Sequence, residues 1–241
     1  MPSEAALLSK IDGMVSRINL KTSQLQNSIN HTLGSASVPI PQWIKDKVSE
    51  GWNKFTTLLK QLWNELAWIL DNMGSPSMLF STADGWSNRI GGPVSGLVQK
   101  AEAGSLTVDD NFDGSAAIAY KQALPLQKTA LEKIKATYTD GISTALSDMA
   151  KAIYVFWGAL IVAFGALIAG IIAASGATGT IVGLPAGLVI AAGAVLVASG
   201  AVTAGSLNLK SAASGANSGL RQKINDNAGY RDGHWPKATT F

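Results

Sequence analysis

No charged side chain occurs between Lys151 and Lys210, a run of 58 residues in a chain of 241. A solvated helix surface cannot be built from such a run. It divides into two apolar stretches, about 152–174 and 181–204, joined by a turn over 175–185 rich in Gly, Ser, Thr and Pro. Each stretch exceeds the roughly 20 apolar residues that a helix needs to cross a bilayer. The pattern predicts a transmembrane-type helical hairpin. Two other readings fit the same residues: a hairpin buried in a soluble bundle, or one sheltered in a soluble form and released into lipid.

Small residues recur four apart within the run. Ala159/Ala163, Ala166/Gly170, Gly183/Gly187 and Ala194/Ala198 each share a helix face. Such faces let two backbones approach closely, which is how helices associate in lipid. The bulky residues, Phe156, Trp157, Leu160, Ile161, Phe164, Ile168, Ile171, Leu188, Ile190, Val195 and Leu196, are then expected to face lipid. Tyr154 and Trp157 stand at the first boundary, where aromatic residues favour the membrane interface. The turn carries no charge, and a central Lys or Asp would cost about 2.5–3.5 kcal/mol on insertion scales. Lys151, Lys210, Arg221 and Lys223 lie on the opposite side, an asymmetry that predicts cytoplasmic termini.

Elsewhere the chain reads as helix. Leu7, Ile11, Met14, Ile18, Leu25 and Ile29 form one stripe over about 3–33, with Ser3 as cap. Phe55, Leu59, Leu62, Leu66 and Ile69 make a heptad seam within about 42–73, and Trp43, Trp52, Trp63 and Trp68 widen it. A third helix is expected over 81–103, kinked at Gly91-Gly92-Pro93. A fourth starts near Ser115 and runs into the apolar stretch, bent at Pro125. The polar tail from 210 onward is expected to be partly mobile. The domains expected are a helical bundle over 1–150, the apolar hairpin over 151–209, and the tail.

Composition narrows the function. Charged residues make up 15% of the chain, against about 25% in an ordinary soluble domain. The net charge of +3 shows no basic cluster on any face, so nucleic acid is not an expected partner. With no cysteine there is neither disulfide nor thiolate chemistry. His31 and His234 lack acidic neighbours at ligand spacing, so no metal is expected. There is neither a Gly-x-Ser-x-Gly elbow nor a phosphate loop. Glu50, Glu65, Glu102 and Glu132 sit among basic residues as solvated partners. No enzyme activity, cofactor or small-molecule substrate is expected. The first residues carry no basic, then apolar, leader, so any export would use another route.

The segment Asn111-Phe112-Asp113-Gly114-Ser115-Ala116-Ala117-Ile118-Ala119-Tyr120 joins two helices. Ser115 is placed to cap the second, Ala116, Ala117 and Ala119 allow close packing, and Asp109 and Asp110 favour a helix N-terminus. This stretch resembles the WXG family of type VII secretion substrates of Gram-positive bacteria and actinobacteria. Phe112-Asp113-Gly114 stands where the family has Trp-x-Gly, and Ala116, Ala117 and Tyr120 match the continuation. Gln127, Ala130, Leu131 and Trp86 also look similar to larger actinobacterial members. The resemblance covers about 81–150. The family's Tyr-x-x-x-Asp/Glu signal is not matched: Leu124, Ile142, Gly158 and His234 follow Tyr120, Tyr138, Tyr154 and Tyr230 four residues on. It implies a bacterial helical protein, secreted or at the surface and often paired with another helical chain. The long helices with an apolar hairpin are also similar in shape to α-helical pore-forming toxins.

The reading is therefore an all-α protein: an elongated antiparallel helical bundle with a hydrophobic hairpin. The expected function is membrane insertion with self-association, forming a pore or conduit. The expected partners are a lipid bilayer and either further copies or another helical protein. The alternatives are an interaction module whose hairpin only docks, and a plain membrane anchor.

Overall fold

The protein is described by a computed structural model covering residues 3–35, 39–102, 113–230 and 233–237. It is all-α, and no strand occurs among the described residues. Phe112, Asn111, Asp109 and Asp110 lie outside them.

Helix α1 spans Glu4–Gly34. The Ser3 hydroxyl accepts the Ala6 N–H at 3.2 Å, satisfying one of the four free donors of the first turn. Helix α2 spans Gln42–Asn72 and follows Pro41, whose fixed φ suits a helix start. Gly74, at φ +72°, lies just beyond its end in the left-handed conformation that glycine adopts without penalty. Helix α3, Pro76–Gly85, is capped by Ser75, which accepts the Met78 N–H at 3.3 Å.

The kink expected at Gly91-Gly92-Pro93 is resolved as a π turn. Residues Trp86–Gly91 form it, and α4 continues over Gly92–Lys100 with Pro93 in its first turn. Pro93 lacks an N–H and in a regular α-helix its ring would crowd the carbonyl four residues back, and a wider turn absorbs both defects. The Gly92 N–H reaches back to the Ser87 carbonyl, the π pattern. Helix α5 spans Ser115–Lys133 with Pro125 inside it. Its cap is Gly114, not Ser115, and Gly114 sits at φ +99°, where any side chain would be strained. A second π turn, Ile134–Thr139, leads into α6, Asp140–Ala177. Helix α7 spans Gly183–Ile224.

The chain forms two compact units. The first comprises Met1–Gly74 with Ala152–Lys210, and the second Ser75–Lys151 with Ser211–Phe241. The expected serial division at 150 and 210 is thus replaced by an interleaved one. The reason is that α1 and α2 carry apolar stripes matched to the hairpin, so they fold with it.

In the second unit the two π turns meet. A Cβ on Gly91 would stand 3.2 Å from Thr139 Oγ1, and Thr137 and Thr139 are both buried. Thr139 satisfies its hydroxyl on the Lys135 carbonyl at 2.7 Å. The expected polar, partly mobile tail is helical as far as Ile224, and residues 225–230 fold back on α5. Lys133 pairs with Asp226. Tyr230 Oη donates to the Ala130 carbonyl at 3.3 Å, and its ring lies 6.4 Å from Tyr138 and 6.3 Å from Trp235.

Candidate functional site

The 58 uncharged residues form the last part of α6, a turn at 178–182 and the first part of α7. Both helices are long and apolar enough to cross a membrane, with 18-residue windows of mean hydropathy 2.5 and 2.1. Only 44% and 39% of those windows is buried. A helix at the centre of a soluble bundle would be covered on all sides, so the distribution of the burial carries the argument.

The inner faces hold the bulk. Ile153, Leu160, Phe164, Leu167, Ile171, Leu184, Leu188 and Val195 are all buried. Helices α1 and α2 supply the matching surface, with Ile11, Ile18, Leu25 and Ile29 on one and Ile44, Val48, Phe55, Leu59, Leu62, Leu66 and Ile69 on the other. Contacts run along the length. The Trp63 and Phe164 rings meet edge to face at 5.6 Å, a Cβ on Gly51 would press on Leu188 at 2.9 Å, and Thr203 bonds Glu65 at 3.2 Å. Of the bulky residues expected to face outward, Phe156, Leu160, Phe164, Ile171, Leu188 and Val195 thus face inward in this conformation, while Ile190 and Leu196 are exposed. Each large apolar side chain gains about 1.5–3 kcal/mol on burial, so the bulky face turns to the cover.

The outer faces are bare. Val155, Ala159, Val162, Ala166, Ala169 and Ala173 lie exposed along α6 at steps of three and four. Val189, Leu196, Val197, Gly200, Ala204 and Leu207 are likewise exposed along α7. Val162 is 73% exposed and Val189 72%. At 1.5 Å per residue the first stripe is about 27 Å long, close to the roughly 30 Å of bilayer hydrocarbon.

The small residues divide between these roles. Gly170 lies directly against the Ala194 side chain, so this pair joins the two hairpin helices within one molecule. Gly187 does the same near the tip, where a Cβ would lie 2.6 Å from Thr178 Cγ2 and 2.7 Å from the Ala174 carbonyl. Gly183 packs on the Ala177 carbonyl inside the turn, and the Thr180 hydroxyl accepts its N–H at 3.1 Å. Ala163 and Ala198 are buried, whereas Ala159 and Ala166 are on the outer face.

Trp157, expected at a membrane interface, packs inside the protein in this conformation. It is 3% exposed, donates from Nε1 to Met73 Sδ at 3.1 Å and meets the Tyr154 ring edge-on at 5.7 Å. In this conformation it is core, and Tyr154 is half-buried beside it. Of the turn motif, Phe112 lies outside the described residues. Gly114 sets the start of α5, Ala117 is buried, Tyr120 is half-buried and Ala116 is exposed.

The hairpin tip has a polar cluster that local sequence reading missed. Thr178 is fully buried. Its hydroxyl donates to the Ser175 carbonyl at 2.9 Å, which leaves Ser28 Oγ of α1 to donate to Thr178 Oγ1 at 3.0 Å. Thr32 Oγ1, one turn further along α1, donates to the Thr178 carbonyl at 2.8 Å. The i, i+4 spacing of Ser28 and Thr32 was the available signal, but their partner lies 146 residues on.

Among the described residues no His, Asp or Glu cluster could hold a metal ion. The perturbed ionisable groups belong to the second unit. The Lys133 side chain, then the Ala228 N–H, holds the Asp226 carboxyl below its ordinary value, and burial pushes the Tyr230 phenol up, with Tyr138 adding to it. Comparisons with protein-family models, curated proteins and solved structures gave no match to this chain.

Proposed function

We propose that this protein inserts into a lipid bilayer through the hairpin 152–209 and associates with further copies there, forming a pore or conduit. The observation that carries the reading is the pair of exposed, charge-free stripes on α6 and α7. Water is a poor solvent for so much contiguous apolar surface, and large exposed patches mark sites of membrane or protein contact. The inner faces are apolar as well, so a hairpin released from α1 and α2 would present no charge to hydrocarbon in any orientation.

The test places charge where water tolerates it and lipid does not. Val162→Lys with Val197→Lys substitutes two exposed residues near the middle of each stripe. Each Lys costs about 2.5–3.5 kcal/mol at the bilayer centre. The expected result is unchanged helicity and melting in solution, with carbonate-resistant vesicle binding lost. Equal binding by the variant would reject insertion. Dye release from vesicles by the purified protein distinguishes a pore from an anchor or a docking module, neither of which requires leakage.

The likeness of Phe112-Asp113-Gly114 to the Trp-x-Gly turn favours a second element of the reading, export by a type VII route. Its support is the sequence likeness alone, Phe112-Asp113-Gly114 followed by Ala116, Ala117 and Tyr120. Loss of the protein from culture medium when that route is disabled is the expected outcome.

A further inference from the structure

We propose that α1 is an inhibitory strap on the hairpin, fastened at the tip by the hydrogen bonds of Ser28 and Thr32 to Thr178. The proposal rests on the membrane reading and adds what controls it. The two covering helices are unequal. Helix α2 buries seven large apolar side chains against its surroundings, and α1 four. The α1 face also holds Thr22, whose Oγ1 is the one buried side-chain oxygen or nitrogen without a partner among the described residues. A buried unsatisfied hydroxyl works against the interface it lies in. Helix α1 is thus the cover that detaches more easily.

The fastening is where release must begin. The tip at Thr178 is the part of a re-entering hairpin that crosses the bilayer first, and α1 grips both the hydroxyl and the carbonyl of that residue. While those bonds hold, α1 satisfies the Thr178 carbonyl just beyond α6 and the bulky inner face stays covered. Once they break, the turn has no charge to drag into lipid.

The chain has no cysteine, so an engineered pair can form only one disulfide within a molecule. Ser28 Oγ and Thr178 Oγ1 are 3.0 Å apart, and sulfurs at those positions are within reach of a disulfide. The experiment compares the full chain as wild type, S28C/T178C oxidised and reduced, and S28A/T32V. Insertion is read by a photoreactive apolar probe dissolved in anionic phosphatidylglycerol–phosphatidylcholine vesicles, and helicity is checked in solution. The oxidised pair should fall to background labelling, and reductant should restore at least the wild-type rate. Two net hydrogen bonds are worth at least about a fivefold rise in the release equilibrium, so S28A/T32V should insert at least about fivefold faster. Equal labelling of oxidised and reduced protein, or no gain in S28A/T32V, would overturn the strap while leaving insertion standing. No labelling of any form would overturn insertion and the strap together.

Discussion

Thr22 and Gly170 show how single positions set the quality of the hairpin's packing. Thr22→Val keeps the shape of the side chain and removes the hydroxyl that has no partner. We expect a gain of about 1 kcal/mol in stability, read as a higher melting temperature, because the desolvation cost of an unpaired group disappears. Gly170→Leu should do the reverse. The Ala194 side chain occupies the space a larger residue needs, and overpacking costs about 1–3 kcal/mol or more. Thermal melts of the two variants check both. The four-residue spacing of small residues was legible, since it requires only helical periodicity. Whether Gly170 meets its own chain or another copy was not, because spacing names a face and not its neighbour. The packing of Trp157 in this conformation was not legible for the same reason: its acceptor, Met73, stands 84 residues away.

At the scale of elements, the long helices were readable because their ends are punctuated. Ser3, Pro41, Gly74 and Pro76 act through local hydrogen bonding and backbone geometry, so α1 and α2 fall within a residue or two of expectation. The π turn before Pro93 was legible only as a kink, and the one before Asp140 not at all, since Ile134–Thr139 holds no breaker residue. The C-terminal extension of α7 was missed because Gly215 and Gly219 weaken its local helical preference. The folded tail gives a pH prediction. Asp226 is held below its ordinary value by Lys133, so its contribution is complete above about pH 3.9, the usual Asp value, and declines as pH falls through the lower native one. Asp226→Asn should remove that acid-side dependence and leave neutral pH as the place where the variant differs most. Hydrogen exchange of the 225–230 amides, followed from pH 6 to 2.5, measures it.

At the scale of the whole molecule, composition and the uncharged run were enough to give an all-α chain with an apolar hairpin. Which face of that hairpin is covered was not legible, because the answer depends on α1 and α2, far away in sequence. The bare stripes give the proposed insertion its sharpest contrast. Phe55→Ala, in the buried seam of α2, should cost about 3–5 kcal/mol of stability in solution, and Val162→Lys almost none. For entry into vesicles the order should reverse, with Phe55→Ala loosening the cover and Val162→Lys blocking the hairpin. Denaturant titration beside a vesicle flotation assay reads the crossover.

The interleaving of the two units also fixes an order of events. Synthesis completes residues 1–74 first, then the 77 residues from Ser75 to Lys151, and only then the hairpin. At about 5–20 residues per second, the delay is roughly 4–15 s, far longer than helices need to form. The most aggregation-prone stretch of this polypeptide therefore leaves the ribosome with its chaperone already made, tethered to the same nascent chain.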